Sequence, residues 1–306
     1  MSSPFFSVVV PCYNRASLLP HSIGSIQSQT FTGFEIILVD DGSTDNTKEV
    51  ILNFCKEDRR IRYLYQENSE RGAARNNGIK NSAGEFVVLF DSDDEMKKDY
   101  LQRLYQFIQN YPSYNFYSAK YNFLEGGIEK PSTMKPIREG GYGIDLVLKG
   151  NPFASNFCIR KSNPQLKLFC EDRSLATTED WIFLVENLRN DSIAVFDFIG
   201  LYMHQHEGRS MQQNQILIER RIKATEYLLQ TILFSEAEKK ILWAYTHFFC
   251  SVHAYLDHNR KQSIQFLKKS VELNGWSIDK IKAFIKYLFG RAVIKRTKRT
   301  GVWEAK

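Results

Sequence analysis

The sequence predicts an α/β, Rossmann-like fold: a mostly parallel sheet flanked by helices, followed by a C-terminal helical region. Short continuous apolar runs at 7–11, 35–39 and 86–90 are typical of strands that are buried on both faces, as in a parallel sheet. Between these runs, apolar residues recur at steps of three and four, which is the helical period. Strands that alternate with helices in this way predict a doubly wound sheet.

The first hundred residues contain further elements of this alternation. Apolar residues at helical spacing predict one helix near Leu19 and a second near Val50, after a cluster of capping residues at 43–46. Residues 60–65 predict another strand, and 72–81 a short helix after it. Ligands of such sheets bind outside the carboxyl ends of the strands, so the loops that follow the strands form the expected ligand site.

Beyond this region the pattern changes twice. Helices are expected at 99–110 and 177–190, with an aromatic strand at 114–123 between them. From 211 to 275 the chain has one glycine and no proline, and its apolar residues keep helical spacing. The sequence therefore predicts a boundary near residue 210, between an α/β part and a helical part.

The composition excludes a disordered chain and a disulfide scaffold. Hydrophobic residues make up 43% of the chain and aromatic residues 13%, which is far from the depleted composition of disordered proteins. The five cysteines are irregularly spaced and form no CxxC pair, so the pattern indicates neither a disulfide framework nor a cysteine metal site. The sequence has neither a signal-peptide pattern nor a bilayer-length apolar run, and we expect a cytoplasmic protein.

Basic charge is concentrated at the C-terminal end. Residues 277–306 hold nine lysines and arginines against two acidic residues, while the whole chain has a net charge of +6, so the remainder is close to neutral. Apolar residues from Ile281 to Ile294 recur at steps of three and four, which predicts a basic amphipathic helix. Such a helix can lie in an anionic membrane surface. The alternative is a packing helix with a solvated basic end.

An acidic cluster, Asp91-Ser92-Asp93-Asp94, follows the third apolar run. In extended backbone, Asp91 and Asp93 would present their carboxylates to the same side. Mg²⁺ typically binds one or two carboxylates together with substrate phosphates, so the cluster is a candidate metal site. The alternative is a solvated acidic turn that caps the next helix.

Two further segments lie at the same predicted edge of the sheet. Asp40 and Asp41 follow the second apolar run, and Tyr13 lies in the segment 11–15 after the first. An aromatic ring at this edge suits a stacked nucleotide base, whereas burial under a loop is the alternative. The carboxylate pair is either part of the ligand site or an ordinary loop and helix cap.

Two arginines lie near the start of a predicted helix. Arg71 and Arg75 are four residues apart, and together with the amide groups of a helix N-terminus they would favour an anion. Gly72 and the two alanines after it indicate a close backbone approach. The alternative is a surface helix with solvated charges.

Together these segments resemble the glycosyltransferase family 2 enzymes of GT-A fold, over about residues 7–210. The matching motifs, in the family's order and approximate spacing, are Ser7-Val-Val-Val-Pro-Cys-Tyr-Asn-Arg15, Val39-Asp-Asp-Gly-Ser-Thr-Asp-Asn-Thr47, Arg71-Gly-Ala-Ala-Arg-Asn-Asn-Gly78, Asp91-Ser-Asp-Asp94 and Thr178-Glu-Asp-Trp181. The resemblance implies a GT-A catalytic domain over 1–210, with a nucleotide-sugar half at about 1–98 and an acceptor half at about 99–210. The helical region would then be 211–306.

The resemblance also implies a role for each matching position. Tyr13 would pack on the nucleotide base, and Asp41 or Asp40 would bind that base. The metal ligands would be Asp91, Asp93 and Asp94, which would hold Mg²⁺ or Mn²⁺ at the donor diphosphate. Asp180 would be the catalytic base, and helix capping by residues 177–180 is the alternative role. The full set of expected donor-binding residues is Pro11, Tyr13, Arg15, Asp40, Asp41, Arg71, Arg75, Ser92 and His206.

These roles imply a metal-dependent, inverting glycosyltransferase. We expect it to move a sugar from a nucleotide-diphosphate sugar, UDP-linked, to a hydroxyl of a glycan or lipid-linked saccharide in cell-surface polysaccharide biosynthesis. A divalent ion offsets the charge that gathers on the diphosphate leaving group, and a carboxylate removes the proton of the acceptor hydroxyl. The basic tail would place the enzyme peripherally on the inner face of the cell membrane, and no nucleic acid partner is expected.

Two other functions fit parts of the pattern. A sugar nucleotidyltransferase also binds a nucleotide on an α/β sheet with acids and Mg²⁺, but the segment 11–15 lacks the glycine-rich loop expected of it. A catalytically silent nucleotide-sugar or lipid-binding module is the other alternative, and the presence of both Asp93 and Asp180 argues against it. His204 and His206 make only a weak zinc pattern.

Overall fold

The computed structural model describes residues 3–205 and 213–299, with side chains as far as residue 290. The chain forms two compact units. The first is an α/β unit of Met1–Val147 with Asn151–Arg209, and the second is a helical unit of Leu148–Gly150 with Ser210–Lys306. His206, which the sequence analysis assigns to the donor site, lies outside the described residues.

The first unit contains all the described strands, six described α-helices and a short 3-10 helix at Arg173–Leu175. Its strands are β1 (Phe6–Cys12), β2 (Phe34–Asp41), β3 (Ile61–Gln66), β4 (Phe86–Leu89), β5 (Asp94–Met96), β6 (Phe116–Glu125), β7 (Ile128–Pro131), β8 (Gly140–Tyr142), β9 (Cys158–Arg160) and β10 (Ile193–His204). Its described helices are α1 (Leu19–Gln27), α2 (Thr47–Glu57), α3 (Glu70–Asn81), α4 (Tyr100–Asn110), α5 (Ile144–Val147) and α6 (Glu179–Leu188). The bounds of β1–β4, β6, α1–α4 and α6 agree closely with the elements expected from the sequence, whereas β5, β7–β10 and α5 were not expected.

The described strands form one sheet whose main path runs β3-β2-β1-β4-β9-β6-β10-β5, while β7 pairs with β6 and β8 with β10. The first four strands of this path are mutually parallel, and β6 is parallel to β10. The strands β9 and β5 run antiparallel to their neighbours. The α/β fold with its parallel nucleus is therefore confirmed, and antiparallel strands enter in the second half.

The parallel strands are buried on both faces. Every residue of β1, β2 and β4 is buried, which is the reason for their continuous apolar runs. Complete burial of one Val, Leu or Ile side chain contributes about 1.5–3 kcal/mol to folding. Such strands hold the loops at their carboxyl ends in fixed relative positions.

Helix α3 approaches the strand β1 and the loop at Cys170 closely because two of its residues are glycine. A Cβ atom at Gly78 would lie 2.2 Å from Val9 Cγ1, and one at Gly72 would lie 2.7 Å from the Cys170 carbonyl oxygen. Neither position can hold a Cβ atom unless the neighbouring strand or loop backbone moves. The close backbone approach expected at Gly72 is confirmed, and the two glycines together fix the helix that carries Arg75.

The backbone of the acidic cluster differs from the expectation. The strand β4 ends at Leu89, residues 92 and 93 form a turn, and the Asp94 N–H donates to the Asp91 carbonyl oxygen at 3.3 Å. The expectation that extended backbone aligns the carboxylates of Asp91 and Asp93 is therefore wrong. A turn brings the carboxylates together instead, because it folds the chain back between the buried strand and β5.

The second unit is helical. Its described helices are α7 (Asn214–Thr231), α8 (Glu236–Leu256), α9 (Arg260–Asn274) and α10 (Ile278–Arg299). Ile218, Cys250 and Ala254 form a buried cluster between α7 and α8, and the buried hydroxyls of Thr225 and Thr246 lie 2.7 Å apart across the same helices. Among the described residues, the longest helices are all too polar to cross a membrane.

The beginning of α10 packs on its own unit through two polar side chains. Lys280 is 1% exposed, and its Nζ donates to the carbonyl oxygens of Ser270 and Gly275 at 3.0 and 2.9 Å. The Tyr287 hydroxyl lies 3.2 Å from Ser251 Oγ. The packing role that the sequence left open as an alternative therefore applies to the first three turns of this helix.

Away from the packed side, the same helix leaves several apolar side chains open to solvent. Ile278 is 71% exposed, Ile281 45% and Phe289 60%. A lysine and a tyrosine thus occupy the packed side, while part of the predicted apolar face stays at the surface. Apolar residues rarely stay exposed together on a protein surface unless that surface binds something.

Candidate active site

The carboxyl ends of β1 and β2 bring Tyr13 and Asp41 to one edge of the sheet, since the two strands are parallel neighbours. Their loops are joined through Asn14, whose N–H donates to Ser43 Oγ at 3.0 Å and whose Oδ1 accepts from the Thr44 N–H at 2.8 Å. Tyr13 remains 46% exposed. Its ring is therefore not buried under a loop, which was the alternative to a stacking role.

The two acids after β2 are almost completely buried, Asp40 at 1% and Asp41 at 4% exposure. Asp40 accepts a hydrogen bond from the Tyr63 hydroxyl at 3.0 Å. Asp41 accepts from Gln66 Nε2 at 2.7 Å and from the Ser69 N–H at 2.8 Å. Burial raises the pKa of Asp41 although these hydrogen bonds act in the opposite direction. Both carboxylates thus already accept hydrogen bonds from other residues of the protein. A bound ligand would have to share the carboxylate oxygens with these donors.

The acidic cluster presents three carboxylates together. One oxygen each of Asp91, Asp93 and Asp94 lies within 4.8 Å of the other two. Asp94 is fully buried, whereas the other two are partly exposed. Carboxylate oxygens are hard ligands that suit Mg²⁺ and Mn²⁺. The donor set therefore fits the divalent ion that the family resemblance implies.

Arg75 lies at the centre of the site with no exposed surface. Its Nη2 donates to Asp91 Oδ1 at 3.0 Å, and its Nη1 donates to Asp180 Oδ1 at 2.7 Å and to Glu179 Oε1 at 3.3 Å. Burial disfavours the charged guanidinium, but the three carboxylates outweigh it and raise the pKa of Arg75. The planar guanidinium can satisfy several carboxylates at once, so Arg75 joins the acidic cluster to the expected base.

Asp180 has an unusual protonation equilibrium. It lies in the first turn of α6, where the N-cap residue Thr178 makes no side-chain cap, and its side chain is 19% exposed. Burial raises the pKa of Asp180 to about 7 from an ordinary 3.8; Arg75 opposes this shift, and the nearby Glu179 and Asp91 add to it. A carboxyl with a pKa near neutrality can accept a proton at physiological pH.

Asp91 lies close to Asp180 and shifts in the other direction. Burial disfavours its charge, but the Arg75 guanidinium and the hydroxyl of Ser155, which donates to Asp91 Oδ2 at 2.6 Å, together lower the pKa of Asp91. Two carboxylates that share one arginine thus differ in protonation. This difference suits one acid to charge binding and the other to proton transfer.

The remaining expected residues occupy several kinds of position. Arg71 is partly exposed, with Nε 3.5 Å from Glu179 Oε1. Pro11 lies within β1 and is buried, and Ser92 is buried in the turn of the acidic cluster. The Arg15 N–H donates to Thr47 Oγ1 at 2.8 Å, which holds the first loop against α2.

Sequence reasoning missed two residues of this site and only partly anticipated a third. Ser155 lies in a loop whose sequence carries no motif, and only the structure shows its contact with Asp91. Glu179 lies beside the expected base in the fifth motif, but the motif does not identify it as a partner of Arg75. Asn76, inside the arginine motif, donates to the Phe169 carbonyl oxygen at 2.9 Å and accepts from the Phe169 N–H at 2.8 Å. This pair of bonds anchors the segment before α6.

The sequence profile described as glycosyl transferase family 2 matches residues 7–162, about half of the chain, and the match includes four of the five motifs. The chain belongs to glycosyl transferase family 2. One relative is the GalNAc(5)-diNAcBac-PP-undecaprenol β-1,3-glucosyltransferase of Campylobacter jejuni, which is 45% identical over 105 residues, or 34% of this chain and 34% of that protein. The chain spans less than half the length of the first curated relatives that it matches.

Solved structures share the fold of this family 2 chain. TarS of S. aureus (residues 1–349), in complex with UDP-GlcNAc, superposes with a TM-score of 0.66 over 88% of this chain and 81% of that one, at 23% identity. The mannosyltransferase PcManGT of Pyrobaculum calidifontis, in complex with GDP-Man and Mn²⁺, superposes with a TM-score of 0.61 over 99% of this chain and 82% of that one, at 14% identity. The α/β fold is the GT-A fold, with helices C-terminal to it.

Proposed function

We propose that this protein is a metal-dependent, inverting glycosyltransferase that uses a nucleotide-diphosphate sugar. The observation that carries the proposal is the arginine-linked group of acids, in which Arg75 contacts both Asp91 and Asp180. A transferase of this kind needs a charge-binding acid for the donor and a proton-accepting acid for the acceptor, close together. Opposite pKa shifts of Asp91 and Asp180 suit these two tasks.

The donor nucleotide would bind at the edge formed by the loops after β1 and β2. The half-exposed ring of Tyr13 gives its base a stacking surface, and Asp41 offers carboxylate oxygens at the same edge. We propose UDP as the nucleotide; a fold neighbour in complex with UDP-GlcNAc supports this choice, whereas another holds GDP-Man. Arg71, which is partly exposed beside Glu179, would contact the phosphates.

Asp91, Asp93 and Asp94 would hold Mg²⁺ or Mn²⁺ at the donor diphosphate. When bound, the ion offsets the negative charge that develops on the leaving group. The lowered pKa of Asp91 keeps this carboxylate ionised, as a metal ligand must be. Ser155 and Arg75 hold its two oxygens in place, so the orientation of Asp91 does not depend on the ligand.

Asp180 would accept the proton of the acceptor hydroxyl. As the proton moves to the Asp180 carboxylate, the hydroxyl oxygen bonds to the anomeric carbon, and the bond from that carbon to the diphosphate oxygen breaks. The electron pair leaves with the nucleoside diphosphate, and attack from the opposite side inverts the anomeric centre. Arg75 fixes the carboxylate at 2.7 Å, so the base is oriented before the acceptor binds.

For the acceptor, we propose a region of the domain and a class of molecule. We propose that residues 1–98 form the donor half and 99–210 the acceptor half of the GT-A domain, and that the acceptor is a glycan or lipid-linked saccharide of cell-surface polysaccharide synthesis. A relative named for acting on an undecaprenol-linked saccharide supports this class. The exposed Ile281 and Phe289, followed by the basic end of the chain, would dock the protein on the inner face of the cell membrane.

The test is a transfer assay with the full chain. Purified protein would be incubated with a panel of UDP- and GDP-sugars, Mn²⁺ and a lipid-linked saccharide extract, and products would be read by mass spectrometry. We expect one donor to be consumed with release of its nucleoside diphosphate. Asp180→Asn should lower the rate by about 10²- to 10⁴-fold, with little change in donor affinity by calorimetry.

The matched control is Asp99→Asn, which changes a partly exposed aspartate that pairs with Arg103 on α4. It should transfer normally. Near-normal transfer by Asp180→Asn would identify another group, such as Glu179, as the base. Formation of a nucleotide sugar from a nucleoside triphosphate and a sugar phosphate would favour a nucleotidyltransferase, and donor binding without any transfer or hydrolysis would favour a silent binding module.

A further inference from the structure

A second cluster of metal-ligating side chains lies in the described part of the α/β unit, separate from the acidic cluster. It consists of His21, Glu95 and His204, each of which offers one ligand atom within 4.8 Å of the others. The Nε2 atoms of His21 and His204 each lie 3.2 Å from the same oxygen, Glu95 Oε2. The two imidazole rings are 5.0 Å apart between centroids and nearly perpendicular.

Three different elements position these side chains. His21 lies in the first turn of α1, Glu95 is the middle residue of β5, and His204 is the last residue of β10. The helix is tied to the strand by the Met96 N–H, which donates to Ser25 Oγ at 3.0 Å. The cluster is therefore built on regular secondary structure, which holds ligand atoms more precisely than loops do.

The cluster lies on the other face of β5 from the acidic cluster. Successive residues of a strand point to opposite faces, so Glu95 points away from the face of Asp94. In the antiparallel pairing of β5 with β10, Asp94 is opposite Met203 and Glu95 is opposite Tyr202. His204 is two residues from Tyr202 and therefore shares the face of Glu95. The two groups of ligands are thus distinct sites on the two sides of one short strand.

The geometry points to a site for a divalent transition-metal ion, and we propose that this chain binds Zn²⁺ there. Zinc binds histidine nitrogen and carboxylate oxygen at about 2.0–2.2 Å, so two ligands of a tetrahedral ion lie about 3.3 Å apart. Each nitrogen-to-oxygen distance of 3.2 Å matches that edge. Two imidazoles and one carboxylate suit zinc better than Mg²⁺, which prefers oxygen ligands alone.

Partial exposure leaves room for a further ligand. The side chains of Glu95 and His204 are 32% and 30% exposed, and that of His21 is 60% exposed. Water can therefore complete the coordination of an ion held by three protein ligands. The ion would clamp the end of β10 to β5 and α1. The proposal does not depend on the glycosyltransferase activity, because no ligand of this site belongs to the donor site.

Calorimetry with Zn²⁺ on the full chain tests the site. The protein, without an affinity tag, would be stripped with a chelator and titrated in the absence of nucleotide. We expect one zinc ion per chain, with binding at least about tenfold weaker in His21→Ala and His204→Ala. Cobalt titration gives a second readout, since Co²⁺ bound by histidine has visible absorption bands that should vanish in either variant.

Two controls separate this site from the rest of the molecule. His258→Asn changes an exposed histidine of the helical unit at a left-handed backbone position that Asn tolerates, and it should bind zinc like the parent chain. Asp93→Ala disables the acidic cluster and should also keep the zinc site. Zinc should raise the melting temperature of the parent chain but not that of His21→Ala.

Two results would overturn the proposal. If the parent chain binds zinc no more tightly than His21→Ala does, the three side chains form only a hydrogen-bonded cluster. If zinc binding is lost in Asp93→Ala but kept in both histidine variants, the ion belongs to the acidic cluster. Because each variant is also assayed for transfer with Mn²⁺, failure of the zinc site is distinguishable from failure of the proposed activity.

Discussion

Arg75 Nη1 lies 2.7 Å from Asp180 Oδ1, and this contact joins a completely buried arginine of α3 to the first turn of α6, 105 residues further along the chain. The other guanidinium nitrogen holds Asp91 at 3.0 Å. One side chain therefore determines the position of both the acid proposed to bind metal and the acid proposed to accept a proton. Neither acid can move without changing the hydrogen bonds of the other.

The transfer rate should depend on pH through Asp180. Because burial raises its pKa to about 7, the ionised base should predominate above neutrality and become scarce below it. We expect kcat/KM to fall about tenfold per pH unit below pH 7, as measured with saturating Mn²⁺ and a fixed acceptor. In Asp180→Asn this acidic limb should disappear. A profile that stays level down to pH 5 would exclude Asp180 as the titrating base.

Arg75→Met should destabilise the chain strongly. The change leaves Asp91, Glu179 and Asp180 together without their buried cation, and breaking a buried ion pair on one side costs about 3–5 kcal/mol. Urea unfolding measures this loss. Arg71→Met is the matched control, because Arg71 is 38% exposed and its removal should cost within about 1 kcal/mol. Equal losses in the two variants would contradict a central role for Arg75.

Asp93→Ala should abolish metal-dependent donor binding without unfolding the protein. Asp93 is partly exposed in a turn, so the core should be unaffected while the acidic cluster loses one of its carboxylates. Calorimetry with UDP in the presence and absence of Mn²⁺ measures the effect. Glu49→Gln, an exposed acid of α2, is the control. Unchanged UDP affinity in Asp93→Ala with Mn²⁺ present would rule out this metal site.

Removal of residues 291–306 should release the protein from anionic vesicles. This segment holds six basic residues and one acidic residue, and each basic residue near an anionic surface is worth about 1 kcal/mol. Truncation after Gly290 keeps Lys280 and Tyr287, which pack on the helical unit. Co-sedimentation with phosphatidylglycerol vesicles, at low and high salt, is the measurement.

The full-length chain should sediment with the vesicles, less at high salt because of screening, and the truncated chain should stay in solution with its UDP affinity intact. Ile281→Ser with Phe289→Ser tests the apolar part separately, since both residues are exposed. If the full-length chain does not bind vesicles, the basic residues are merely solvated.

The parallel half of the fold could be predicted because the burial of each strand is visible in the strand's own residues. Continuous apolar runs mark strands buried on both faces, and β1, β2 and β4 are buried throughout. The second half was harder to predict. The strand β10 has irregular pairing with β6 between Phe196 and Leu201, so no simple alternation marks it in the sequence. The strand β9, which lies between β4 and β6, has three residues and is too short to show a periodicity.

The site could be predicted as a set of positions but not as a network. The motifs indicate Arg75 as an anion-binding residue, whereas in the structure its partners are carboxylates of the protein. Nothing local predicts this, because Glu179 is 104 residues away in sequence. In the same way, His21 has no motif around it, and only the pairing of β5 with β10 and the position of α1 bring it to Glu95.

The strand β5 has only three residues, yet its first residue belongs to one cluster of ligands and its second to another. A single-residue insertion or deletion before it would reverse every side chain of the strand. Glu95 would then take the place of Asp94 in the acidic cluster, and the opposite side of the strand would lose its carboxylate. Length changes in this segment should therefore be far more damaging than substitutions, whereas the exposed turn at Gly126 and Gly127, whose surroundings are open, should accept added residues.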